Sequence, residues 1–348
     1  MPEKPDLRSL AREEMEELAQ KLGWPAYRGR QIFAWVHKHG SRDLAGLKNL
    51  PAELKQALGE YTYIGQPQEL TRRESSAGDA VKLLLSLRDG ERIETALMLY
   101  HRKSTRERAT CCVSTQSGCS MRCAFCATAF SGPGRNLSAG EIVSQALLSR
   151  ETAREKGFPG LTNIVYMGMG EPLLNLAAVK KSLLLFNAED GLNIGMRRMT
   201  VSTCGLVPGI YELADWGKPV GLAVSLHGAN DATRRRLMPA AYPISEVMKA
   251  CRHYQEKTGE RVTWEYALFA GVNDSGRDAA RLGALLRGEN ALLNLIPANF
   301  VAETGFSPSK VERIEEFSKI VASYGVEVSQ REPRGVDIDA ACGQLRRR

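Results

Sequence analysis

The sequence is poor in cysteine and histidine and has no long apolar run. Eight Cys and five His in 348 residues are too few for a disulfide-stapled secreted fold. No stretch reaches the roughly 20 apolar residues that a membrane-spanning helix needs, so no membrane partner is expected. The opening MPEKPDLRSLAREEMEE is charged and lacks the apolar core of a secretory signal, and the expected compartment is the cytoplasm. A composition of 43% hydrophobic and 25% charged residues is that of a globular chain with room for one large core and a smaller accessory unit.

Charge of one sign is in excess. The net charge is +7 and the pI about 9.0, which suits a polyanionic partner. The excess sits in short clusters at 101–108, 196–198, 234–236 and 346–348. Taken singly, each reads as solvated surface.

Residues 1–60 read as a helical module. SLAREEMEELAQKLG places Ser9 as N-cap and Gly23 as stop, YRGRQIFAWVHKHG ends at Gly40, and LPAELKQALG carries Pro51 near its first turn. Trp24, Tyr27 and Trp35 are assigned to its core. Residues 61–107 form a β-rich extension containing VKLLLSL and IETALML. From 108 to 348, apolar runs alternate with helical segments. The runs are ATCCVST, NIVYMG, MTVST, GLAVSLH, TWEYALF and LLNLIP, each the pattern of a parallel strand buried on both faces. Repeated β–α units predict an α/β fold built on a complete or partial barrel. The polar stretches QSGCSMRCAFC, GMGEP, the Ser-Thr of VST, SLHG and IPAN each follow a strand. Barrel active sites lie at the C-terminal strand ends, so five loops are expected to meet at one mouth.

Five of the eight cysteines lie within the sixteen residues 111–126. Cys119, Cys123 and Cys126 make C-x3-C-x2-C. Structural zinc wants four closed ligands; three are present, and His101 and His227 are distant in sequence, so zinc ranks behind iron–sulfur. A cubane cluster has four irons, each normally held by a thiolate. Three ligands leave one iron open.

C-x3-C-x2-C with Phe125 before its last Cys resembles the radical S-adenosylmethionine (SAM) enzymes, and GMGEP at 168–172 resembles that family's second signature. RNLSAGEIVSQ, MRRMTVSTCGL, AVSLHGANDATRRRLMP, TWEYALFAGVND and above all RGVDIDAACGQL resemble its RlmN/Cfr branch of RNA adenine methyltransferases, on the RlmN side. The resemblance implies a partial (β/α)6-type barrel and one 4Fe–4S cluster on Cys119, Cys123 and Cys126. It also implies two SAM molecules per turnover, one cleaved to a deoxyadenosyl radical. Cys342 is then the cysteine that carries the methyl group, Cys112 its partner in a transient disulfide, and Glu94 the proton acceptor. Gly170, Glu171, Ser202, Ser225, Leu226, His227 and Asn299 match SAM-contacting positions. Cys111, Cys204 and Cys251 match no role and read as small buried hydrophobes; Met167, Met169 and Met199 read as packing residues.

The implied reaction is methylation of adenine C2 in 23S rRNA and in tRNA. The implied electron donor is flavodoxin or ferredoxin, and the implied state a monomer. Methylation at C8, a radical SAM enzyme with another substrate, and a non-catalytic iron–sulfur RNA-binding protein stand as alternatives. Departures from the family pattern fall in loops: Gly228 in SLHGAND, the short LMPAAYPIS, and LIPANFVAETGFSPSK without an Arg-rich continuation.

Overall fold

The computed structural model describes residues 4–101 and 107–346. Most of the basic cluster at 101–108 and the last two arginines of 346–348 therefore lie outside the described residues.

Three helices open the chain: α1 (Arg12–Lys21), α2 (Tyr27–His37) and α3 (Ala52–Tyr61). Met15, Ile32, Phe33, Val36, Leu54 and Leu58 pack between them. Trp24 and Trp35 rest half-buried against that core. Tyr27 does not join it; the ring is 43% exposed, with the Arg28 guanidinium 4.9 Å from its centroid. The buried stripe of α2 runs through Gly29, Ile32, Phe33, Val36 and His37, and helical periodicity turns position 27 away from it. Ser9 is not the N-cap of α1 either. That place falls to Ala11, whose N–H donates to Glu14 Oε2 at 2.6 Å. Ser9 Oγ instead accepts the N–H of Gly140, 2.9 Å away, in the first turn of a helix 131 residues later.

The strands form one sheet in sequence order. β1 (Gln68–Glu74), β2 (Ala80–Ser86) and β3 (Arg92–Tyr100) are antiparallel to one another. β3 pairs antiparallel with β4 (Arg108–Cys112), which begins the parallel part. There follow α4 (Ala139–Glu155), β5 (Asn163–Tyr166), α5 (Leu176–Asn187), β6 (Met199–Thr203), α6 (Val207–Asp215) and β7 (Gly221–Ser225). The chain continues through α7 (Asp231–Leu237), α8 (Ile244–Thr258), β8 (Val262–Leu268), α9 (Gly276–Leu286), β9 (Ala291–Pro297), α10 (Val311–Ala322) and β10 (Glu327–Gln330).

The expected six parallel strands are present, and β10 adds a seventh. It escapes a hydrophobic reading because EVSQ is polar and mostly exposed. β1, QELTRRE, is exposed along its whole length. These two strands are the sheet's edges, so the barrel is partial, and charged, short edges discourage pairing with other chains. The core lies between the sheet and the helices α4 to α10, and joins the core of the N-terminal helices.

Candidate active site at the strand ends

The five polar loops do meet. An open cavity of about 1110 Å³, counting the solvent at its mouth, collects residues that follow β4, β5, β6, β7 and β9. Cys119, Cys123 and Cys126 come from the first of these loops and Gly170 and Glu171 from the second. Ser202, Ser225, His227 and Asn299 also line it. Leu226 does not; its side chain is buried in the core, because alternation along the strand end turns it away from Ser225 and His227.

Local backbone explains why these residue types stand where they do. Gly170 has φ +100°, and a Cβ there would lie 2.6–2.8 Å from Gln116 atoms, the backbone N included. Only glycine accommodates both. Gln116 Oε1 accepts the N–H of Glu171 at 2.8 Å, tying the cysteine loop to the glycine loop. The Glu171 carboxylate accepts N–H bonds from Leu173 (3.1 Å) and Cys204 (2.8 Å). Burial holds its pKa above the usual carboxylate range against those bonds. The Thr203 and Cys204 side chains hydrogen-bond it as well.

His227 is an unusual non-glycine residue with φ +51°. Its Nδ1 accepts the N–H of Ala267 at 3.0 Å, so Nε2 carries the proton in the neutral ring. Burial keeps it neutral, with a pKa held down to about 3. The ring meets Phe125 edge-on, with centroids 4.9 Å apart.

The thiols of Cys119, Cys123 and Cys126 are all pushed up, Cys119 to about 12, chiefly by burial; the charge of Cys126 adds to this at Cys119, those of Cys126 and Cys119 at Cys123, and that of Cys342 at Cys126. Three thiols whose ionisation burial and neighbouring thiols oppose fit a cationic iron cluster, which removes that penalty. Among the described residues no three His, Cys, Asp or Glu side chains converge on a single ion. A cubane does not require convergence, since its thiolates sit on separate irons; a closed mononuclear zinc site does.

Cys342 reaches the same cavity from the C-terminal segment. That segment is pinned to the mouth: Ala127 N–H donates to Gly343 O (2.7 Å), Thr128 Oγ1 to Leu345 O (2.6 Å) and Asn299 Nδ2 to Cys342 O (3.0 Å). Cys112, on β4, faces Cys342 across a smaller adjoining hollow of about 520 Å³ that Arg331 also lines. Both are free thiols, so the disulfide implied by the resemblance is not formed in this structure. Burial pushes the Cys112 thiol up, and Arg331 opposes that.

Glu94 does not line the cavity. It is buried on β3 in an ion pair with Lys82 Nζ at 3.0 Å, and its Oε2 accepts the Arg346 N–H at 2.8 Å. Burial raises its pKa, and Lys82 is the main opposing charge.

Four residues escaped the sequence reading. Arg331, just past the polar β10, has its pKa pushed up first by the Cys342 charge; no motif marks it. Glu265 is buried and held by Asn294 Nδ2 at 2.9 Å, with its pKa raised by burial; a carboxylate inside TWEYALF was the available signal. Cys204 is buried, as expected, but lines the cavity. Arg234, read as one of a surface triplet, is 1% exposed. It donates to Ser225 O and Leu226 O (both 2.7 Å) and to Cys204 O (2.5 Å). It thereby ties the end of β7 to the loop after β6. Cys111, Cys251, Met169 and Met199 are buried, whereas Met167 lines the cavity.

The chain matches known families over most of its length. Residues 113–282 match the Radical SAM superfamily, and residues 5–64 the ribosomal RNA large subunit methyltransferase N-terminal domain. A protein of Moorella thermoacetica named probable dual-specificity RNA methyltransferase RlmN is 46% identical over 98% of this chain and 97% of its own length. The protein of that name from Clostridium perfringens is 46% identical over 96% of this chain and 94% of its own. A crystal structure of a radical SAM methyltransferase from Sphaerobacter thermophilus superposes with a TM-score of 0.94 at 43% identity, covering 99% of this chain and 100% of the other. With a cysteine triplet, a glycine loop and a C-terminal cysteine gathered at one barrel mouth, the chain belongs to the RlmN family of radical SAM methyltransferases.

Proposed function

We propose that this enzyme methylates C2 of an adenine in 23S rRNA, and also in tRNA, through an S-methylated Cys342. The observation that carries the reading is the placing of Cys342 in the wall shared by the main cavity and the hollow that holds Cys112. One sulfur thus faces the cysteine triplet on one side and a second thiol on the other. C2 is an electron-poor ring carbon with no lone pair, so direct displacement on the SAM methyl fails there and a carbon radical is required.

Cys119, Cys123 and Cys126 would hold a 4Fe–4S cluster, which when bound supplies the electron that cleaves SAM. Glu171, Ser202, Ser225, His227 and Asn299 would orient SAM in the cavity. Neutral His227 would donate from Nε2 rather than add a charge. The Cys342 sulfur would accept the methyl cation of a first SAM, with the Arg331 guanidinium lining the same wall. Hydrogen abstraction from that S-methyl by the deoxyadenosyl fragment of a second SAM would give the carbon that bonds to C2. After the adduct has returned one electron to the oxidised cluster and lost the C2 proton, to a base that the family reading makes Glu94, the Cys112 thiolate would attack the Cys342 sulfur. The S–CH2 bond breaks, the carbon takes a proton, and a Cys112–Cys342 disulfide remains for a two-electron reductant to open. Flavodoxin or ferredoxin would feed the single electron, and the helical module of residues 1–60 would dock the RNA, in the cytoplasm.

The test is anaerobic turnover of the reconstituted enzyme with SAM, reductant and unmodified RNA, followed by nucleoside mass spectrometry. 2-Methyladenosine is expected, and Cys342→Ala reduces it to background. 8-Methyladenosine would overturn the position, and deoxyadenosine without any methylated RNA would overturn the substrate.

A further inference from the structure

A third hollow, of about 940 Å³ counting open solvent, lies over β1, β2 and β3. Its floor is the buried Lys82–Glu94 pair. Its rim carries Thr71 and Arg73 from β1 and Arg92 from β3, and its far side Asp339 and Arg346 from the C-terminal segment.

Strand register creates this charge. Alternate residues share a face, and Arg73 is the direct cross-strand partner of Lys82. Like charges facing across a strand pair are destabilising unless something of opposite sign intervenes. Glu94 neutralises Lys82. Arg73 and Arg92 are exposed, and among the described residues neither makes an ion pair. Three cationic side chains, Arg73, Lys82 and Arg92, thus stand around an open hollow with Glu94 and Asp339, while the Arg346 guanidinium pairs with Glu303 outside it. β1 is also bulged between Glu69 and Thr71, a local re-aiming of side chains found beside functional sites.

The hollow and the main cavity share one partition. Cys342, Gly343 and Leu345 face the cavity, and the next residue, Arg346, faces the hollow. Four residues span at most about 14 Å. Hydrogen bonds bind the partition to the floor: Lys82 Nζ donates to Asp339 O at 3.2 Å and Arg346 N to Glu94 Oε2 at 2.8 Å.

Resting on the RNA reading above, we propose that this hollow is the docking track for the backbone phosphates of the strand whose adenine enters the main cavity, with Arg73 and Arg92 as the phosphate-binding residues. A flipped base needs its flanking backbone held, and a guanidinium binds phosphate through paired N–H donors. Guanidinium charges spread over two strands of an open, exposed face suit a polymer of phosphates better than an enclosed small nucleotide.

The test compares the reconstituted holoenzyme with its Arg73→Ala/Arg92→Ala and Arg73→Glu/Arg92→Glu variants, and with Arg313→Ala on the exposed face of α10 as a charge control. RNA binding is measured against salt, and methylation against RNA concentration. The alanine pair is expected to lower the slope of log affinity against log salt by about 2. It should raise the KM for RNA at least tenfold while kcat at saturating RNA changes little. The glutamate pair should lose more, and the control neither slope nor KM. Wild-type slope and KM in both double variants would overturn the proposal, as would a fall in kcat at unchanged KM. A wild-type enzyme that binds RNA with the expected slope yet methylates none would sink the proposed reaction and leave the docking track standing.

Discussion

Arg331 brings a guanidinium to the wall between Cys342 and Cys112, and among the described residues it forms no ion pair. Its charge opposes the burial that raises the Cys112 pKa. Arg331→Met should slow the attack of Cys112 on the RNA-bearing Cys342 sulfur about tenfold, so that the protein–RNA adduct accumulates; Arg331→Lys should restore part of the rate. Denaturing gels of turnover mixtures read this out, and no added adduct in Arg331→Met would refute it. Lys82 and Glu94 make a different case, with side chains only 7% and 5% exposed. Lys82→Met leaves a buried carboxylate without its partner and should cost about 3–5 kcal/mol. Lys82→Met/Glu94→Leu should recover much of that in denaturant titrations, because no uncompensated charge remains. Spacing marked the cysteine triplet because cluster chemistry dictates it along the chain, and the family resemblance pointed to Glu171 and His227. Arg331 and Arg234 were not legible, since each acts across strands and resembles any surface arginine in sequence.

Helix ends record how the N-terminal module is attached. Asp6 and Ser9 sit against the first turn of α4, where a Cβ on Gly140 would lie 2.5 Å from Asp6 Oδ2 and 2.6 Å from Ser9 Oγ. Arg8, 1% exposed, donates to Ser144 Oγ at 2.8 Å and Gln66 Oε1 at 2.6 Å. Ser9→Ala should therefore cost about 1 kcal/mol, the usual loss of a helix cap. Gly140→Ala should cost roughly 1–3 kcal/mol by overpacking. Thermal unfolding of both variants checks the ranking; an unchanged Gly140→Ala melting temperature would mean that the module does not press on α4. The sequence marked Ser9 as the N-cap of α1, and the structure does not bear this out: α4 is capped by its own Ser138, and Ser9 adds a further acceptor for Gly140 N–H. Sequence could not show that contact 131 residues away, because capping preference describes a side chain and not its partner.

Across the whole molecule, two histidines are buried neutral in separate places, His37 in the helical module and His227 at the cavity. His37 is 1% exposed, and burial holds its pKa down to about 3 from 6.5. Between those values the unfolded chain binds a proton that the folded chain refuses, so stability is full above pH 6.5 and falls as pH drops toward 3. His37→Phe should flatten the slope of unfolding free energy against pH in that window, whereas at pH 8 it changes stability by packing alone. An unchanged slope would mean that His37 protonates freely in the folded state.

The sequence by itself determined the parallel strands, the helices between them and the loops bearing the chemistry. Apolar runs and cysteine spacing are properties of neighbouring residues, and local geometry reads them directly. It also determined the family, because a thiolate triplet and a glycine loop tolerate little variation in spacing. Only the tertiary structure decided that β1 and β10 join the sheet as polar edges, where pairing rather than hydrophobicity recruits them. It alone placed Glu94 outside the main cavity, Arg234 inside the core, and Arg331 between two cysteines more than 200 residues apart in the chain. Those positions depend on which strand ends the fold brings together, and a buried charge shows its role only through the groups that surround it.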